Sequence, residues 1–210
     1  AEGTTRIISA AAEPHIVQLG ETFNSMGAEI EGIGSNNLII HGANSLNNFE
    51  VSIISDMIEA GTFLMAGALL GEIEVKDIIP GHLDKVVHKL REIGCILKIN
   101  QNSIVITPPG KIKSIDMTTA VYPGFPTDLQ AQWVAIMSLA NGSSVVTDTV
   151  YHDRFSHIPE LSRLGANIKV ENNTAFIRGK NTLVGAPVMS TDIRASASLI
   201  IAALAAKGET

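Results

Sequence analysis

Three charged residues stand where a charge is costly unless it is used. Asp128 follows Pro123 and Pro126 and directly precedes a largely apolar helical run. Its carboxylate therefore lies near a helix N-terminus, where the positive end of the helix favours the ionised form. An ionised, positioned carboxylate can accept a hydroxyl proton as a general base; the same position also suits an ordinary N-cap aspartate. Arg154 and Arg194 carry guanidiniums whose paired donors match carboxylate or phosphate geometry and whose charge does not titrate away. Arg194 opens an otherwise apolar helix, where a cation needs a partner, and Asp192 two residues earlier is a candidate. For each arginine the alternative is a structural salt bridge between domains. Glu13, with Pro14 after it, reads as a favourable charge in a helix first turn.

The other reactive residue types point to packing. Cys95 is the only cysteine, so no intrachain disulfide is possible and a reducing, cytosolic setting fits. Among His15, His41, His82, His88, His152 and His157 no pair has the i, i+4 spacing of helical metal ligands, and no metal or cofactor site is expected. Trp133, inside the run after Asp128, reads as core.

The elements that must hold these residues recur three times. Met26-Gly27-Ala28, Ile93-Gly94-Cys95 and Leu164-Gly165-Ala166 each close an amphipathic helix and start a strand. Glycine suits such a stop because it takes the left-handed conformation that residues with a Cβ resist. The preceding helices carry Ile16, Leu19, Phe23 and Met26, then Leu83, Val86, Leu90 and Ile93, then Ile158, Leu161 and Leu164 at helical spacing. After each glycine come two short strands and a second, more apolar helix. Those second helices are predicted to start near Ile58, Leu129 and Ile193 and to run to Gly71, Gly142 and Gly208. Cys95 occupies the place of Ala28 and Ala166 in the repeat, so it is expected to be a small buried thiol. The class is α/β (α+β) without a dinucleotide-binding fingerprint, since no Gly-rich loop follows a strand.

A net charge of −6 without blocks of like charge excludes a basic nucleic-acid footprint. The longest apolar stretch, 195–206, is too short to cross a bilayer, and no signal peptide opens the chain. A first residue other than Met suggests a piece of a longer protein.

Tyr122-Pro123-Gly124-Phe125-Pro126-Thr127-Asp128-Leu129-Gln130-Ala131-Gln132 resembles the most recognisable stretch of the UDP-N-acetylglucosamine enolpyruvyl transferases. Glu59-Ala60-Gly61-Thr62-Phe63, Asp153-Arg154-Phe155 and Thr191-Asp192-Ile193-Arg194-Ala195-Ser196-Ala197 are similar to further family segments, in the same order. The resemblance implies an inside-out α/β barrel of repeated βαβαββ units, three of them in this chain. Residues 1–54 would be the last unit of one domain, and 55–210 about two units of the other, with a crossover between 46 and 56.

It also implies the chemistry. A sugar 3′-hydroxyl of UDP-N-acetylglucosamine attacks C2 of phosphoenolpyruvate, C3 takes a proton, and phosphate leaves, an early step of peptidoglycan synthesis. Asp128 would be the base and bind the sugar; Val150 would touch the nucleotide-sugar through its backbone; Arg154, Arg194, Asp192 and Glu13 would line the substrate site. The partners implied are the two substrates and the rest of a parent chain, with no nucleic acid and no membrane. Met57 stands where the family usually has an arginine, and His15 where many relatives carry an acid. The family's proton donor and a Lys-Asn pair belong upstream of Ala1, and another arginine beyond Thr210, so the 210 residues alone are expected to be inactive or nearly so. The shikimate-pathway enolpyruvyl transferases and a noncatalytic repeat scaffold are the alternatives.

Overall fold

The computed structural model describes residues 2–190 and 192–210; Thr191, within one of the motifs above, lies outside the described residues, as does Ala1. The chain divides into two compact units, Ala1–Ser55 and Asp56–Thr210.

The first unit holds β1 (Thr4–Ile8), α1 (Pro14–Ser25), β2 (Glu29–Glu31) and β3 (Asn37–His41). Its antiparallel sheet has the order β1-β3-β2. Pro14 opens α1, where its missing N–H breaks no helical bond. Leu19 and Phe23 of α1 remain exposed.

The second unit begins with α2 (Met57–Leu70), β4 (Ile73–Lys76), α3 (Asp84–Glu92, entered through a 3-10 turn), β5 (Ile96–Ile99) and β6 (Ser103–Thr107). It continues with β7 (Met117–Thr118), a 3-10 turn at Thr127–Leu129, α4 (Gln130–Met137), β8 (Ser143–Thr147), α5 (Ile158–Arg163), β9 (Asn167–Glu171), β10 (Thr174–Arg178) and α6 (Ile193–Ala205). Two sheets result, ordered β4-β6-β5 and β7-β8-β10-β9. Among the described residues the strand ladders are antiparallel except β7 with β8, which are joined through α4. The run β7-α4-β8-α5-β9-β10 is one complete βαβαββ unit. Only two residues long, β7 has no alternation to betray it, and the sequence reading does not contain it.

The three predicted glycine stops share one hydrogen-bond pattern. Ala28 N–H donates to Phe23 O, Cys95 N–H to Leu90 O and Ala166 N–H to Leu161 O, each at 3.0 Å. Gly27, Gly94 and Gly165 all have positive φ, at 98°, 106° and 89°. This is the Schellman arrangement, and its geometry requires the left-handed residue.

Helices α2, α4 and α6 pack against one another as the apolar centre of the second unit. Every residue of α4 is buried. Trp133 is fully buried and meets Phe125 edge-on, with ring centroids 5.5 Å apart. Gly61 of α2 lies so close to the start of α4 that an added Cβ would sit 2.5 Å from Leu129 Cδ1. Cys95 is buried, and loss of solvent pushes its thiol up to about 11.

Two helix ends differ from expectation. Helix α4 stops at Met137 rather than near Gly142, because Leu139 and Ala140 tighten into i→i+3 bonds and Asn141 N–H is captured by Ile112 O at 2.8 Å. Helix α6 stops at Ala205, where Ala206 is already extended, short of Gly208.

Candidate active site

Three segments of the second unit bring Asp128, Arg154 and Arg194 together. Asp128 sits in the 3-10 turn that feeds α4, whose N-cap position is Leu129 and carries no side-chain cap. Its carboxylate turns away from the helix end. Asp128 Oδ1 accepts from Arg154 Nη2 at 2.7 Å and from Arg194 Nε at 3.0 Å. The simple N-cap alternative is thereby excluded. Among the described residues Oδ2 has no hydrogen-bond partner. All three side chains are roughly a third exposed or less, so the cluster is open to a ligand while partly shielded from bulk water.

Arg154 lies in the loop between β8 and α5. It also donates from Nη1 to Thr127 Oγ1 at 3.1 Å, and its guanidinium carbon stands 5.4 Å from the Tyr151 ring centroid. Ring and hydroxyl fix a side chain that would otherwise lose much rotamer entropy on binding.

Arg194 is the first charged residue of α6. Its partner is Asp128, not Asp192 as the sequence suggested. Asp192 instead caps α6: Oδ1 accepts from Arg194 N–H at 2.8 Å and Ala195 N–H at 2.9 Å, and Oδ2 from the Ser156 hydroxyl at 3.0 Å. A residue two positions before an arginine at a helix start is better placed for the free backbone N–H groups than for the outward-reaching guanidinium. The backbone bond from Ala195 is the chief reason the Asp192 carboxyl lies below its ordinary value.

Behind this cluster lies Asp148, which sequence reasoning passed over. It is fully buried, and its two oxygens accept from Thr119 and Thr127 hydroxyls at 2.7 and 2.5 Å and from Val150 and Tyr151 N–H at 3.0 and 2.9 Å. Burial alone would raise its pKa; the four donors outweigh that and hold it below the ordinary carboxylate range. The signal was a lone acid directly after an apolar strand, Val145-Val146-Thr147-Asp148. His157, next to the cluster and only 2% exposed, is pushed down to about 4, mainly by burial; Arg154 adds to the shift and Asp192 opposes it.

Val150 has spent its N–H on Asp148, so its carbonyl and its exposed side chain are what remain for a ligand. Glu13 belongs to the first unit and is the N-cap of α1 rather than a first-turn residue. Its side chain makes no capping bond, and Oε2 is buried without a partner among the described residues. Met57 opens α2 and lines a small pocket with His82, Tyr122 and Pro126. Cross-strand pairing gathers Glu29, Glu31 and His41 on the surface of the first sheet, with His41 Nε2 3.4 Å from Glu31 Oε1.

Two guanidiniums converging on one carboxylate make a net positive cluster that can hold an anion and present a proton acceptor beside it. Antiparallel strand pairs on a shared helical centre are the architecture of the enolpyruvyl transferase fold class, to which the chain is similar in structure. The similarity extends to a crystal structure of the enolpyruvyl transferase NikO from Streptomyces tendae, with TM-score 0.86 and 26% identity over 98% of this chain and 50% of that one. The EPSP synthase of Acinetobacter baumannii, at TM-score 0.69 and 18% identity over 99% of this chain and 51% of that one, shares the fold. The family model for EPSP synthase (3-phosphoshikimate 1-carboxyvinyltransferase) matches residues 1–210, and the chain belongs to that family. Within it, the chain is 49% identical over its whole length to the UDP-N-acetylglucosamine 1-carboxyvinyltransferase of Chlorobium luteolum and 50% identical to that of Synechocystis. It covers 50% and 48% of these proteins, so it spans about half the length of the curated relatives it matches.

Proposed function

We propose that this chain is part of an enzyme that transfers enolpyruvate from phosphoenolpyruvate to the 3′-hydroxyl of UDP-N-acetylglucosamine, releasing phosphate. The observation that carries the reading is Asp128 held at one oxygen by Arg154 and Arg194. An incoming phosphate or carboxylate competes with Asp128 for the charge of those guanidiniums, which loosens their hold on the carboxylate and lets it take the hydroxyl proton. Arg154 and Arg194 bind the anion, the Val150 carbonyl meets the nucleotide-sugar, and Asp192 fixes the start of α6 and so the base of Arg194. Glu13 is assigned to the substrate side of the first unit.

Residues 1–54 are read as the last unit of one domain and 55–210 as about two units of the other; the division into compact units after Ser55 supports this. The proton donor then belongs to the remainder of the parent chain. A cytosolic setting goes with the reading, as does a place in cell-wall synthesis. Among the described residues no helix is long and apolar enough to cross a membrane.

The test uses the full-length protein and measures phosphate release from phosphoenolpyruvate with either UDP-N-acetylglucosamine or shikimate 3-phosphate. Turnover with the sugar nucleotide alone, cut by about 10²–10⁴ in Asp128→Asn, is the expected result. Turnover with shikimate 3-phosphate instead moves the chain to the other branch of its family. Full activity of Asp128→Asn removes the assigned base.

A further inference from the structure

Asp128 and Arg154 hold each other, but the ion pair alone does not determine how the guanidinium is turned. Two further contacts do, and both lead to one buried group. The Thr127 hydroxyl has a single proton, and it is given to Asp148 Oδ2 at 2.5 Å. Its lone pairs are therefore turned outward, where Arg154 Nη1 donates to them at 3.1 Å. On the other side, Asp148 Oδ1 accepts the N–H groups of Val150 and Tyr151, an Asx-type turn that sets the Tyr151 ring against the same guanidinium.

The anchor is itself rooted in the sheet. Asp148 N–H donates to Asn173 O and Asp148 O accepts from Asn173 Nδ2, both at 2.9 Å, between β9 and β10. Thr119, just past β7, donates to Asp148 and accepts from Thr149 N–H at 3.0 Å. A buried carboxylate with no solvent contact and four donors from three segments is an expensive arrangement to maintain for a surface loop.

We propose that Asp148 is a positioning residue for the proposed reaction: through the Thr127 hydroxyl and the 148–151 turn it sets the direction from which Arg154 meets Asp128 and the substrate anion. Its negative charge matters because it fixes the polarity of the Thr127 hydroxyl. An asparagine there can turn its NH₂ toward Thr127, which sends the hydroxyl proton outward against the Arg154 donor and breaks the relay. The inference rests on the reading of Asp128 and Arg154 as substrate-handling groups.

The test compares Thr127→Val, Thr127→Ser and Asp148→Asn in the full-length protein, alone and as Asp148→Asn/Thr127→Val. It reads kcat and KM for phosphate release with UDP-N-acetylglucosamine and phosphoenolpyruvate, beside Tm. Thr127→Val keeps the shape and loses the hydroxyl, so kcat/KM measured well below the unfolding range should fall about ten- to a hundredfold, the effect of one hydrogen bond to a charged group. Tm should fall as well, because Oδ2 of the buried Asp148 loses its one donor among the described residues. Thr127→Ser should restore most of it, and the double variant should be no worse than Asp148→Asn alone. Asp148→Asn risks the fold, so the Thr127 pair carries the test independently. Full activity of Thr127→Val, or failure of serine to rescue, overturns the relay. If Asp128→Asn is inactive at the same time, the reading of the site stands while this inference falls; if Asp128→Asn is fully active, both fall.

Discussion

Replacing His157 by phenylalanine should remove part of the chain's acid sensitivity, and the size of the effect follows from the site. His157 is buried beside Phe155, with Asp192 and Arg154 as the charges that act on it, and Nε2 has no partner among the described residues. Burial pushes it from 6.5 down to about 4. Between those values the unfolded chain binds a proton that the folded chain refuses, so stability rises with pH across the window. Its contribution is complete above 6.5, fades as pH falls, and is exhausted below about 4. At about 1.4 kcal/mol per pH unit, the wild-type chain should lose about 2 kcal/mol by pH 5 and about 3 kcal/mol by pH 4 through this group alone.

The carboxylates Asp148 and Asp192, both held below their ordinary values, lose their contributions at still lower pH; His157 is a minor cause of the Asp192 shift, so the two curves are compared at pH 4 and above. Subtracting the two curves isolates His157. Urea unfolding at each pH can be followed through Trp133, the only tryptophan and fully buried in the same unit. A wild-type-minus-variant difference that stays flat from pH 7 to 4, or an imidazole NMR titration of His157 near 6.5, would refute the reasoning.

Three further outcomes are expected. Gly61→Ala places a Cβ 2.5 Å from Leu129 Cδ1, beside Asp128, and should cost about 1–3 kcal/mol in urea unfolding; an unchanged midpoint would mean the two helices are not so close. Asp192→Ala removes the cap of α6 and should cost about 1 kcal/mol, read by the same method, with loss of far-UV helix signal on mild heating. Arg194→Lys in the full-length protein keeps the charge but loses the Nε donor to Asp128, so kcat/KM should drop by about tenfold; unaltered kinetics would take Arg194 out of the site.

Much of the fold is legible because its signals are local. A helix that ends on a left-handed glycine and re-enters a strand is specified within six residues, and the stops at Gly27, Gly94 and Gly165 all take the expected form. The apolar character of α4 likewise announces a buried helix before any partner is known. Strand β7 was not legible, since a two-residue strand exists only through its neighbour β8. Nor was the early end of α4, which depends on Ile112 capturing Asn141 N–H.

The sequence by itself determined which residues carry charge into apolar surroundings, and so named Asp128, Arg154 and Arg194. Only the tertiary structure decided how they are paired. Asp192 is near Arg194 in the chain yet serves the helix end, while Asp128, 66 residues away, takes the guanidinium. The physical reason is reach: helix geometry turns the first backbone N–H groups toward a residue two or three positions earlier and aims a long side chain outward, so its partner must come from another segment.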